Sequence, residues 1–188
     1  TKNNRGIFRP PLLAVTLVGI ILATIPVFGG WGSANWMVPW ADSVGAAMNP
    51  PNVSLKANVQ QARSITGIVG SFLGGWFGSL LGRRRAYFVI SLLCLFTSQY
   101  AFWFVKPLDS TFLIWVGALG FFSGLYFGWL PLFLPELFPT AVRSTGAGVC
   151  FNFGRITTAI SLFGTGAIVQ LFGGDFARIG QVTSLIFA

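Results

Sequence analysis

The chain has 188 residues, of which 54% are hydrophobic and 9% charged, with a net charge of +8 and a mean hydropathy of +0.73. A water-soluble domain carries about a quarter charged residues, so this chain cannot cover its own surface with polar groups and its solvent is lipid. Histidine is absent and the only acids are Asp42, Asp109, Glu136 and Asp175, which starves acid–base and metal chemistry: no enzyme activity, cofactor or metal is expected.

Residues 1–10 hold Lys2, Arg5 and Arg9 ahead of Pro10-Pro11. They read as a basic linker running into a helix whose first turn accepts proline. An apolar segment follows from Leu12 to about Phe28, interrupted late by Pro26 and Gly29-Gly30. Trp31, Asn35, Trp36, Pro39 and Trp40 come next. They are either an interfacial aromatic belt or a solute-facing helix end, with Asn35 as hydrogen-bonding group and Trp36 as stacking wall. Residues 41–58, with Asn49-Pro50-Pro51-Asn52, read as a polar loop.

The next span runs from about Val59 to Leu81 and contains Arg63. Its Gly67, Gly70, Gly74 and Gly78 fall three and four apart, on one helix face, which predicts close approach of another helix. Gly82-Arg83-Arg84-Arg85 ends it. Tyr87 to Val105 is the third span, closed by Lys106-Pro107-Leu108-Asp109, and Thr111 to about Leu134 is the fourth. Pro135 and Pro139 then bound a short polar break, since proline lacks the N–H that a helix needs. The fifth span, Thr145 to Phe172, holds Asn152 and Arg155. A turn at Gly173-Gly174-Asp175 precedes the start of a sixth. Position 1 is Thr, and Val182–Ala188 is an apolar run too short to span, so a piece of a longer protein is expected.

The basic residues cluster between apolar runs, which argues for membrane orientation and against a nucleic-acid partner. Counted alternately from a cytoplasmic start, Lys2, Arg5, Arg9, Arg83, Arg84, Arg85 and Arg143 fall inside. Lys56, Lys106 and Arg178 fall outside, with Arg63 near an outer end. Cys94 and Cys150 lie in apolar runs and read as packing residues.

Three stretches carry a family resemblance. Glu136-x-Phe138-Pro139, Arg143 and Thr145-Gly146-x-Gly148 resemble the loop between helices ten and eleven of the major facilitator superfamily, closest in its sugar-porter-like and organic-acid branches. Gly75 to Arg84 resembles the superfamily's signature loop, with Ser79 and Leu80 where an Asp and a base normally stand. Gly128-Trp129-x-Pro131 resembles helix ten of sugar porters, where the Trp lines the sugar site.

The resemblance implies an all-α membrane protein: half of a twelve-helix fold, with five complete transmembrane helices plus the start of a sixth. Residues 1–10 would end a central cytoplasmic linker, and 11–188 would be the C-terminal half, its partner being the missing N-terminal half. The expected function is secondary transport of a small polar solute, a sugar or related metabolite, by alternating access in a cell inner membrane. An organic anion is the alternative, and a membrane-embedded enzyme or structural subunit ranks below both.

The solute-binding candidates are Asn35, Trp36, Tyr126, Trp129, Asn152 and Arg155. Arg83, Arg84, Glu136 and Arg143 are the candidates for a cytoplasmic gate network, on loops 82–86 and 135–144. Trp129 serves either the solute path or the core. For Arg155, a helix starting near Thr145 puts the charge about 15 Å deep, whereas a start near Val149 lets it snorkel to the interface.

Overall fold

A computed structural model describes residues 6–188. Lys2 and Arg5 of the basic linker lie outside the described residues. Helix α1 (Leu12–Val27) starts directly after Pro11 and does not end at Phe28. It widens into a π-type turn at Phe28–Ser33, tightens through Ala34–Trp36, and continues as α2 (Met37–Ala46). The whole is a continuous helical run of 35 residues.

The predicted loop at 41–58 is therefore shorter. Met37, Ala41 and Gly45 recur every four residues and are all buried, so core packing keeps this stretch helical. At its outer edge Lys56 pairs with Asp42 at 3.0 Å. Helix α3 (Ser54–Leu81) also begins earlier than predicted, burying Leu55 and Val59. Asn52 Oδ1 accepts from the Ser54 backbone N–H at 3.2 Å and from its hydroxyl at 2.8 Å.

Gly82 alone separates α3 from α4 (Arg83–Phe104). Its φ of +77° is a conformation open to glycine at little cost. The three arginines are therefore the first turn of α4. Helix α5 (Phe112–Glu136) runs through Pro131 and Pro135, so Pro135 does not end it as the sequence predicts. Each proline deletes one backbone bond near the helix end, while Leu130 and Leu134, four apart, stay buried and hold the register. A tight turn at Thr140–Val142 leads to α6 (Arg143–Phe163). Gly164 divides α6 from α7 (Thr165–Leu171). The described chain closes with α8 (Phe176–Thr183) and a final turn at Ser184–Phe187.

Four helical runs among the described residues, Leu12–Ala46 and α3 to α5, are long and apolar enough to cross a membrane. Helix α6 has 21 residues, but its Ser, Thr, Gly, Asn and Arg dilute the apolar signal.

Helices α3 and α5 make the tightest contact of the bundle. The Gly67/Gly70/Gly74/Gly78 face meets a second small face, Gly120, Gly124 and Gly128, on α5. A methyl added at Gly70 would land on the Phe121 carbonyl, one at Gly124 on the Gly67 carbonyl, and one at Gly128 on the Ser71 carbonyl. Small residues here let two backbones touch, and dispersion between them holds the pair where lipid offers no hydrophobic drive.

Helix α1 packs on α6, where Gly154 faces the backbone of Ala23 and Thr24. Helix α8 is tied to α4 by polar bonds: Gln99 Nε2 donates to Gln181 O at 2.8 Å and to Ser184 Oγ at 2.7 Å. Gln181 Nε2 returns a bond to Phe102 O at 3.1 Å. Cys94 and Cys150 are both free and buried.

Candidate functional site

The wide turn at Phe28–Ser33 is where the chain opens. It faces α3 and α5 across a cavity of about 550 Å³ whose wall includes Gly30, Trp31, Gln60, Arg63, Ser64, Ser71, Ser123 and Phe127. A second cavity of about 370 Å³ adjoins it, walled by Val27, Trp31, Phe127, Phe151, Arg155 and Thr158. Trp31 and Phe127 belong to both walls, so the two cavities are lobes of one cleft among α1, α3, α5 and α6. None of the four acids lines either lobe.

The two lobes each carry one arginine. Arg63 is half-buried and tied to the wide turn. Its Nη1 donates to Asn35 Oδ1 at 2.5 Å and its Nη2 to the Gly30 carbonyl at 3.0 Å. The guanidinium lies 5.7 Å from the centroid of the Trp31 ring, a cation–π distance. Arg155 is exposed on the wall of the smaller lobe. Helix α6 begins at Arg143, which removes the late start near Val149. Arg155 stands twelve residues along α6, roughly 18 Å from its start at 1.5 Å per residue.

The other sequence candidates separate. Asn35 reaches the cleft through Arg63. Trp36 is buried and packs toward Phe176, with ring centroids 6.2 Å apart. Tyr126 is fully buried; its hydroxyl bonds to Ser91 and its ring meets Tyr87 edge-on. Asn152 is exposed and on neither cavity wall.

Trp129 does not line the cleft. It is 1% exposed, stacked on Phe133 at 4.6 Å and tilted against Tyr87 at 5.8 Å. The reason is Gly78, whose missing side chain leaves the space that the indole fills. The aromatic walls of the cleft are Trp31 and Phe127 instead. Trp31 stands in the Trp-rich stretch that the sequence marks, but Phe127, Ser71 and Ser123 have no local signal that separates them from core or lipid-facing residues.

At one end of the bundle, Arg83 meets Glu136 in a two-pronged ion pair. Its Nε donates to Oε2 at 2.8 Å and its Nη2 to Oε1 at 2.6 Å. Both side chains remain close to half exposed. Arg143 Nε donates to the Phe138 carbonyl at 3.4 Å, so it braces the turn between α5 and α6. Arg84 is exposed beside Arg83.

The chain is 26% identical over 160 residues to the cis,cis-muconate transport protein of Acinetobacter baylyi, a match covering 85% of this chain and 35% of that protein. It is 30% identical over 160 residues to solute carrier family 2, facilitated glucose transporter member 2, of Gallus gallus, covering 83% of this chain and 28% of that one. It is 24% identical over 174 residues to the MFS transporter asaE of Aspergillus flavus, covering 92% and 37%. The chain belongs to the major facilitator superfamily. No family model matches it, and no solved structure does. It spans about a third of the length of these superfamily relatives. The two loop segments that resemble superfamily motifs, Gly75 to Arg84 and Glu136 to Arg143, are the two that the Arg83–Glu136 pair joins.

Proposed function

We propose that this chain is the C-terminal six-helix half of a secondary transporter in a cell membrane, and that its solute is a small organic anion. The observation that carries the anion is the pair of arginines, one on each lobe of a cleft whose described walls hold no acid. A guanidinium in a membrane cannot shed its proton, and at mid-depth it costs roughly 2.5–3.5 kcal/mol on insertion scales. Such a charge is a functional candidate by default, and a carboxylate fits its planar fork. Two relatives support this reading by name: the muconate transport protein and the sialic acid transporter NanX of Escherichia coli. The second reading, a neutral sugar, rests on the aromatic walls Trp31 and Phe127, on Gln60, and on the glucose-transporter relatives. It is weakened by the burial of Trp129 and Tyr126.

In this reading Leu12–Ala46, α3, α4, α5 and α6–α7 are five passes and α8 begins the sixth. The cleft is half of a site closed by the other six-helix half near the bilayer midplane, and solute crosses as the halves rock about it. The test is uptake by proteoliposomes of the whole transporter, offered labelled cis,cis-muconate, sialic acid and D-glucose in parallel. Carboxylate uptake well above glucose is the expected result. Glucose uptake alone would establish the second reading in its place.

The Arg83–Glu136 pair belongs to the inner gate, with Arg84 and Arg143 on the same cytoplasmic face. A latch between helix ends acts on the rate of rocking and does not touch solute. Glu136→Ala is therefore expected to slow turnover while outward-facing binding is little changed. Binding lost with the exchange rate intact is the outcome that refutes this role.

A further inference from the structure

Phe28–Ser33 is the one π-type turn among the described residues, and a side chain from another helix holds it. The partners of Arg63 there are the Gly30 carbonyl inside the turn, the Asn35 amide oxygen just beyond it, and the face of Trp31. All three are neutral. A charge-assisted bond to a carboxylate is roughly twice as strong as a bond between neutral groups. The guanidinium has five donors, two of which the turn engages, and it borders the larger lobe of the cleft. The turn itself has the features of a joint. Gly29, Gly30 and Gly32 carry no side chain, and the Ser33 hydroxyl is fully buried with no hydrogen-bond partner among the described residues.

We propose that Arg63 latches the wide turn to α3, and that an anionic solute in the cleft draws its guanidinium off Gly30 and Asn35, freeing the first span to bend. The inference rests on the anion reading above. A neutral solute gains no charge-assisted bond and leaves the latch closed. Recognition of charge and release of the joint are then one event, because the same fork cannot serve the turn and a carboxylate at full strength together.

The experiment labels a cysteine at Ser33 in the whole transporter with a membrane-impermeant maleimide. The parent protein, whose two native cysteines in this region are buried, serves as the blank. With Arg63 present, labelling is slow without solute; cis,cis-muconate speeds it by at least about fivefold, and D-glucose at the same concentration does not. With Arg63→Gln, labelling is fast without solute and gains nothing from muconate. Arg63→Lys, which keeps charge but not the fork, restores part of the slow rate. Asn35→Ala leaves the charge in place and removes one tether, so it is the variant to use if Arg63→Gln fails to fold.

Labelling as slow in the Arg63→Gln or Asn35→Ala protein as in the Ser33→Cys protein with Arg63 and Asn35 intact overturns the latch. Equilibrium binding of muconate to the same preparation separates the two readings. Muconate that binds without changing the labelling rate overturns the coupling. Muconate that does not bind removes the anion trigger, while the solute-free comparison still decides the latch.

Discussion

Arg155→Gln is expected to abolish saturable uptake of the proposed anionic solute while insertion and yield stay at the parent level. The side chain stands on the cleft wall with no hydrogen-bond partner among the described residues, so removing it breaks no bond seen in the described fold. What is lost, on the anion reading, is the charge proposed to meet the solute. Arg155 is exposed here; once the other half closes over the cleft, as the proposed site requires, deleting one partner of the then desolvated charge pair costs about 2–5 kcal/mol, which is roughly a thirty- to several-thousand-fold rise in the solute's apparent Kd. Arg155→Lys keeps the charge and loses the planar fork, so it falls between the two. Uptake kinetics in proteoliposomes and equilibrium binding on purified protein measure both variants. Parent-like kinetics in Arg155→Gln would falsify the role of Arg155 in solute recognition. Glucose uptake, if the protein supports any, should be little changed by the substitution.

Gly74→Ala is expected to lower the yield of folded, monodisperse protein, and Gly74→Leu to eliminate it. An added methyl at Gly74 overlaps the Leu125 carbonyl and comes within 2.9 Å of the Gly128 Cα and 3.0 Å of the Trp129 backbone nitrogen. All three are main-chain atoms of α5 and cannot rotate aside. Overpacking of a tight core costs about 1–3 kcal/mol where side chains can adjust, and here the two helices must separate. Gly75 supplies the control. Its nearest neighbour is the Leu132 Cδ1 at 3.2 Å, the end of a flexible side chain, so Gly75→Ala should behave like the parent. Size-exclusion chromatography after a heat challenge distinguishes the pair. Equal losses at both positions would show that the main-chain contact between α3 and α5 at Gly74 does not set the effect, since Gly→Ala by itself favours the helix.

The parts of this protein that sequence determines are those set by neighbours along the chain. Long apolar runs broken by arginines predict membrane helices, because an unpaired backbone in lipid must bond within its own segment. A lone guanidinium amid Phe151, Phe153 and Ile156 is legible as a charge within an apolar run, though its depth depended on where the helix begins. Which side of each helix faces the cleft was not legible. Helix α5 is apolar on every face, and lipid is as apolar as a helix interface, so hydropathy assigns its residues no direction.

Tertiary structure decided those directions through small residues. Gly78 opens the space that takes Trp129 into the core, and the glycine faces of α3 and α5 fix how the two helices are rotated. Phe127, two residues before Trp129, is thereby turned to the cleft wall. Arg63 and Asn35 are 28 residues apart, and only the packing of the first span on α3 brings them together. The wide turn at Phe28–Ser33 has the same origin. Its glycines permit a break, but the burial of Met37 and Ala41 beyond it keeps the chain helical to Ala46. A local pattern of glycine and proline cannot anticipate that burial, because the groups that enclose these residues come from elsewhere in the chain.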